Sequence, residues 1–280
     1  MNQVLLSAGR NGAFAGFRLA FVELMLGSRL IQLRIAGDKE DPMSAFASSA
    51  GTKPYKGLGM EGAVAKWYAS LTKKSLEDFK ALARRIAAQI PGSSNVLEVA
   101  PGPGYCAIEL ANLGNYEIVG LDISKTFVEI ARENAARAGV RVDFRRGNVS
   151  EMPFADETFD FVLCRAAFKN FTEPKRALQE MYRVLKPGGQ ALIIDLRRDA
   201  SRESIMHAVN AMNLDAVNRV ITKMTFRFML LKRAYTKQEF EELIAETKFH
   251  RVEMRDDLIG LEIMLTKSRN TSQGPVGPRT

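Results

Sequence analysis

The chain has 280 residues, 46% hydrophobic and 26% charged, ordinary usage for one large globular domain or one domain with appendages. Forty Lys and Arg against 32 Asp and Glu leave a formal charge of +8, an excess that draws anionic ligands, membranes or nucleic acid and says nothing about fold. Two cysteines, Cys106 and Cys164, exclude a disulfide framework and a zinc-ligand spacing and make a reducing cytoplasm the expected compartment.

No stretch reads as a membrane-spanning helix. Residues 1–36 come nearest, but Arg18, Glu23, Arg29 and Arg34 interrupt their apolar run, which is also too long and too charged for a signal peptide. With Arg10 the segment holds four basic residues and one acid. Peripheral contact with a membrane surface is therefore one expectation; a helix docked on the body, or an extension ahead of a start at Met43 or Met60, are the others. Residues 37–58 are rich in Gly, Ser, Pro and charge and read as a linker. A folded domain is expected over 59–268, and a polar, disordered tail over 269–280.

A helical pattern runs from Met60 through "AVAKWYASL". A second starts at Ser75, where "SLED" has the form of a capping box with Asp78 in the place of Glu, and Pro91-Gly92 stops it. Strands and helices then alternate. "NVLEV", "EIVGLD", "RVDFRRGN", "FDFVLC" and "QALIIDL" are the strands. The helices between them include one capped by Ser124 and closed by Gly139, and one ended by Lys186-Pro187-Gly188-Gly189. This rhythm predicts a doubly wound α/β fold, a parallel sheet covered on both faces. After Asp195 the pattern turns helical over 201–233, and Thr236 caps a further helix. "RVEMRDD" and "GLEIMLTK" are two strands so close that they must be antiparallel.

The loop "APGPG" after the first strand carries the chemistry. At the carboxyl end of a parallel strand the next helix offers unpaired N–H groups and partial positive charge, and ligands of open α/β sheets bind there. Gly102 and Gly104 leave backbone bare for a ligand and take positive φ cheaply. The second strand ends in Asp122, about twenty residues on, where an acid commonly holds ribose hydroxyls. Because Ser124 is available to cap the following helix, Asp122 is assigned to the ribose. "GPGYCA" also satisfies G-x-G-x-x-A, so a dinucleotide oxidoreductase fits so far. Glu98, a carboxylate on the approach to the loop, would repel a pyrophosphate and welcome an ammonium and a sulfonium. It tips the choice towards S-adenosylmethionine.

"VLEVAPGPG", "VGLDIS", "GNVSEMPFADETFDFVLC" and "EMYRVLKPGGQALIID" resemble, in order and spacing, the motifs of class I S-adenosylmethionine-dependent methyltransferases, of the subgroup that includes the ubiquinone/menaquinone C-methyltransferases. The resemblance implies a seven-stranded sheet with its last strand reversed, a helical amino-terminal cap and a helical lid between the fifth and sixth strands, about 197–237. It implies that Glu98 and the loop from Ala100 through Gly102 to Gly104 hold the methionine end of the cofactor. Asp122 would hold the ribose and Ile123 pack on the adenine, with Asn148 and the Val149 backbone bonding the adenine edge. Carbonyls near Cys164 and Arg165 would receive the ammonium. Two positions depart from the family pattern: Ala100 stands where Gly is usual, and Asn148 where Asp is usual.

The reaction so implied is direct displacement of a methyl group onto O, N, S or C of a small molecule, with no metal. Non-catalytic binding of the cofactor and NAD(P)-dependent redox chemistry are the alternatives. The Pro-Pro motif of adenine N6 enzymes and the Pro-Cys pair of cytosine C5 enzymes are missing, which lowers a nucleic-acid reading. Lys169, in "CRAAFKNF", could bind an anionic acceptor or stand solvated at a helix start. His207, in the lid, could act as a base or be structural. Cys164 reads as a small buried residue, and Trp67 with Tyr68 either close over the cofactor or pack in the core. The lid has nine Lys/Arg and three Asp/Glu; Arg219, Lys223 and Arg227 form one helical stripe, Val217, Ile221, Met224 and Phe228 another face. With Met206, Met212 and Met229 nearby in sequence, such a lid suits an apolar or varied acceptor, or is plain core with a solvated face.

Overall fold

The computed structural model describes residues 55–56, 59–210 and 231–269. The expectations for residues 1–36, for most of the linker, for the stripe of Arg219, Lys223 and Arg227 and for the tail from 270 lie outside the described residues.

Seven strands form one sheet: β1 Asn95–Val99, β2 Glu117–Asp122, β3 Asp143–Arg146, β4 Phe159–Arg165, β5 Leu185–Leu196, β6 Arg251–Asp256 and β7 Gly260–Thr266. Their order is β3-β2-β1-β4-β5-β7-β6. β7 pairs antiparallel with both β5 and β6, and the other pairs are parallel. The order reverses direction between β1 and β4. That switch point opens a crevice beyond their carboxyl ends, where the loops diverge to opposite faces.

The described helices are α1 Gly62–Thr72, α2 Leu76–Ala87, α3 Tyr105–Ala111, α4 Lys125–Ala138, α5 Pro174–Val184, α6 Arg202–Asn210 and α7 Lys237–Ala245. Phe79, Leu82 and Ile86 of α2, Cys106 and Leu110 of α3, and Val128 and Ala131 of α4 pack on one face of the sheet, with Val96, Ile118, Phe161 and Leu163. Leu178 and Met181 of α5 and Phe240 and Ile244 of α7 cover the other, with Leu97, Val99, Val162 and Ile193. Burial on both faces is why the central strands read as unbroken apolar runs rather than alternating ones.

Two local expectations change and a third holds. Ser75 makes no side-chain cap at α2, because a 3-10 turn over Lys73–Ser75 runs straight into that helix. β5 starts at Leu185, so the Lys-Pro-Gly-Gly run lies within the strand, where Gly188 takes φ 83°; its N–H donates to the Lys267 carbonyl at 2.9 Å. Thr236 does cap α7, and Glu239 reciprocates to complete a capping box.

Candidate functional site

β1 brings Glu98 to the crevice. Strand alternation puts it on the face of Val96, under α3, and it is only 5% exposed. Its Oε2 is buried with no hydrogen-bond partner. Burial pushes the carboxyl up to about 8, although the Ala107 amide and the Arg165 charge favour ionisation. A buried, unsatisfied oxygen costs stability unless a ligand completes it, so its presence at a strand end points to one.

The chain after Glu98 is strained. Ala100 takes φ 52° and Ala166, just past β4, takes φ 62°. Two alanines in the left-handed region flank one crevice, each pinned by its N–H, Ala100 to the Leu121 carbonyl (2.8 Å) and Ala166 to the Ile194 carbonyl (2.7 Å). Such strain gathers at ligand sites because the surrounding fold must enforce it. The left-handed backbone at Ala100 is what the usual Gly there would adopt freely.

The two glycines of the loop do different jobs. A Cβ on Gly102, at φ 56°, would meet nothing within 4 Å, so its bare backbone faces open space. A Cβ on Gly104 would lie 2.5 Å from Phe144 Cζ, and one on Gly120 would lie 2.4 Å from Phe144 Cδ1. The notch at Gly104 is therefore filled by the β3 ring, not by a ligand, which corrects the expectation from the loop alone. Gly104→Ala, at φ 79°, is expected to cost about 2 kcal/mol of stability through left-handed strain and the clash. A denaturation midpoint would show it, and adding Phe144→Leu should return part of the loss.

β2 delivers Asp122, 5% exposed. Its Oδ2 accepts from Gly102 N–H at 3.0 Å and its Oδ1 from Ser124 N–H at 2.9 Å. Burial raises the carboxyl to about 6 against those bonds. Ser124 caps α4 by accepting from Phe127 N–H at 3.0 Å, so the cap and the acid coexist. Each oxygen of Asp122 keeps a lone pair for a ligand hydroxyl. Ile123 is half-buried beside it, its carbonyl accepting from Arg146 Nε at 3.2 Å.

Asn148 and Val149 follow β3 and reach the same end of the sheet; Val149 is buried. The Asn148 amide oxygen already accepts from Ser150 N–H at 3.0 Å, which shapes the turn and leaves one lone pair for an adenine amino group. Cys164 is fully buried, with its thiol pushed well above the ordinary range by burial. Arg165 stacks over the Phe79 ring, 4.4 Å from its centroid.

Two residues stand elsewhere than the sequence suggested. Lys169 is neither solvated nor open to an anionic acceptor: its Nζ, 4% exposed as a residue, donates to Asp195 Oδ1 at 2.8 Å and to the Ala166 carbonyl at 2.6 Å. Asp195 also accepts from Lys169 N–H and Leu196 N–H. The pair ties the strained loop after β4 to the end of β5. His207 is exposed on α6, which turns Ala208 and Val209 inward, and His250 is exposed too.

Sequence reasoning missed Glu61 and Tyr55. Glu61 lies ahead of α1 and accepts from Lys125 N–H (2.9 Å), Thr126 N–H (3.0 Å) and the Thr126 hydroxyl (2.6 Å), so the cap segment closes the amino end of α4 beside Asp122. Nothing in local sequence links residue 61 to residue 126. Asp195 had a signal, since it ends β5 as Asp122 ends β2.

The donor set fits S-adenosylmethionine: a buried acid short of one partner, an open backbone at Gly102, and a second acid with spare lone pairs at the next strand. When bound, the cofactor supplies an electrophilic methyl group on a sulfonium.

Residues 97–193 match the methyltransferase-domain family. The demethylmenaquinone methyltransferase of Deinococcus radiodurans is 37% identical over 107 residues, 38% of this chain and 44% of that protein; the chain thus spans less than half the length of such relatives. The O-methyltransferase resE of Aspergillus sclerotiorum is 28% identical over 206 residues, 71% of this chain and 72% of that one. In fold, a solved Methanococcus maripaludis protein assigned as an S-adenosyl-L-methionine-dependent methyltransferase aligns with a TM-score of 0.60 at 22% identity, over 81% of this chain and all of that one. The match begins one residue before Glu98, takes in Asp122, Asn148 and Cys164, and ends in β5: residues 97–193 are a class I S-adenosylmethionine-dependent methyltransferase domain, resembling those of the quinone methyltransferases.

Proposed function

We propose that the chain methylates a small-molecule acceptor, using S-adenosylmethionine and direct displacement. The observation that carries this is the unpartnered Oε2 of buried Glu98, across the loop from Asp122. A carboxylate there attracts the cationic end of the cofactor and opposes a dinucleotide pyrophosphate. Asp122 would accept the ribose hydroxyls, and the open backbone at Gly102 would receive the methionine end. Ile123, Val149 and the remaining lone pair of Asn148 would take the adenine.

Displacement from a sulfonium needs alignment and dryness more than acid–base machinery. Holding donor and acceptor in line supplies about 7–11 kcal/mol of the barrier. α1 is tethered at the β2 side through Glu61, and Tyr55 bridges to Phe171 beyond β4; a cover there that keeps water out would strengthen the field of both acids around the cationic centre. Lys169 serves by position: through Asp195 it fixes the β4 loop that borders the acceptor side.

The relatives named above act on a demethylmenaquinone and through an acceptor oxygen. The first supports a quinone-like small molecule as acceptor, and the second an oxygen as acceptor atom. Calorimetry with S-adenosylhomocysteine and NADH, side by side on the full chain, tests the cofactor. The first is expected to bind and the second to show no heat; the reverse would return the dinucleotide reading.

A further inference from the structure

Two tyrosines outside the family match roof the crevice from opposite sides. Tyr55 forms an isolated antiparallel bridge with Phe171, beyond β4. Its neighbour Lys56 donates its N–H to the Asn170 carbonyl at 2.7 Å and its Nζ to the Tyr235 hydroxyl at 3.2 Å. That strap lies over the β4 side. Tyr68 belongs to α1, which is tied to the β2 side: Ser124 Oγ donates to the Met60 carbonyl at 2.6 Å, beside the Glu61 contacts. Its ring stands edge-on to Phe127, with centroids 5.8 Å apart. Tyr55 lies within electrostatic reach of Tyr68, and the charges of Asp122 and Asp195 act on both. Among the described residues, no group hydrogen-bonds to either hydroxyl.

We propose that Tyr55 and Tyr68 bind the methyl acceptor, each donating a hydrogen bond to an acceptor oxygen that is ionised before transfer. This rests on the methyltransferase reading and names its acceptor class: an acidic phenol or enol. The phenols are donors and not bases, since burial, first, and the neighbouring aspartates hold their protons on. Arg233 near Tyr55 and Arg165 near Tyr68 add positive charge on the same side.

Among the described residues, the side chains most often used as bases are not poised for a neutral acceptor, and the carboxyls of Glu98 and Asp122 are assigned to the cofactor. Both histidines of the chain are exposed, the Lys169 amine is committed to Asp195, and both thiols are buried with raised pKa. An acceptor that brings its own electron pair, having released its proton to water, needs no base. An oxygen acid that ionises near neutral pH does so. Its oxyanion pair, on oxygen or delocalised to the adjacent carbon, forms the new bond to the methyl carbon. The carbon–sulfur bond breaks and its electrons stay on sulfur. Neutral donors aimed at an oxyanion in a water-poor site favour the ionised acceptor without quenching it.

The test is spectroscopic and needs no turnover. The full chain is saturated with S-adenosylhomocysteine and titrated with two coloured oxygen acids, 4-nitrophenol and 2-hydroxy-1,4-naphthoquinone, across pH. At least one is expected to bind as its anion, with its apparent ionisation shifted about one pH unit lower. Tyr55→Phe and Tyr68→Phe, which keep the rings, should each remove at least half of that shift and leave S-adenosylhomocysteine affinity within twofold. Binding of S-adenosylhomocysteine with neither acid bound, with unshifted ionisation, or with variants like the parent overturns the proposal alone. No binding of S-adenosylhomocysteine overturns the methyltransferase reading and this proposal with it.

Discussion

Asp122→Ala is expected to weaken S-adenosylhomocysteine binding about a hundredfold in calorimetry. A charged hydrogen bond to a buried acceptor is worth about 1.5–3 kcal/mol, and the ribose offers two hydroxyls. Losing both costs about 3 kcal/mol or more, and 1.4 kcal/mol is a factor of ten. The sequence alone supports only the ligand part of this. The structure adds that the acid also holds Gly102 N–H and Ser124 N–H, so its removal leaves two buried donors unpaired and loosens the loop. Asp122→Asn keeps one acceptor oxygen and should lose about tenfold. A thermal melt separates loss of binding from loss of fold. Affinity of Asp122→Ala within threefold of the parent would sink the ribose assignment.

Glu98 gives the second large effect, a pH dependence of both stability and binding. In the ligand-free chain its carboxyl stands at about 8, raised chiefly by burial from the ordinary 4.5. The folded state then holds a proton that the unfolded chain releases above pH 4.5. Stability therefore falls as pH rises through that window and levels above about 8. Asp122, at about 6, adds a similar slope at the lower end, so pH 6.5–8.5 isolates Glu98. In melts over that range Glu98→Gln should remove the slope.

Binding runs the other way. An arriving ammonium favours the ionised acid, so the complex releases the proton and affinity rises with pH, by up to about tenfold per unit for one proton released. The rise should stop near pH 8, where Glu98 is half-ionised and the cofactor's own amino group, of ordinary value about 7.7–8.0, starts to lose its charge. Calorimetry at pH 7 in two buffers of different ionisation enthalpy should count nearly one proton released, and none for Glu98→Gln. Flat affinity between pH 6 and 8 in the parent would mean that Glu98 never meets the cation.

Alternation of strands and helices was legible because local patterns encode it: apolar runs for strands buried on both faces, and Ser124, Gly139 and Thr236 at helix ends. The acids at the ends of β1 and β2 were legible for the same reason, since a strand's end is a local fact. The SLED motif misled because a local signal competes with its surroundings, and there a 3-10 turn occupies the capping position.

By itself, then, the sequence determined the alternating α/β rhythm, the glycine–proline bend and the two acids that choose a cationic cofactor, all of them properties of neighbours along the chain. Only the tertiary structure decided that Gly104 makes room for Phe144, that Lys169 is neutralised by Asp195, and that Glu61 and Tyr55 reach site residues 65 to 140 positions away. Those outcomes depend on which strands adjoin and which side chains meet across the crevice. Burial then sets whether a charge is solvated, paired or left waiting for a ligand.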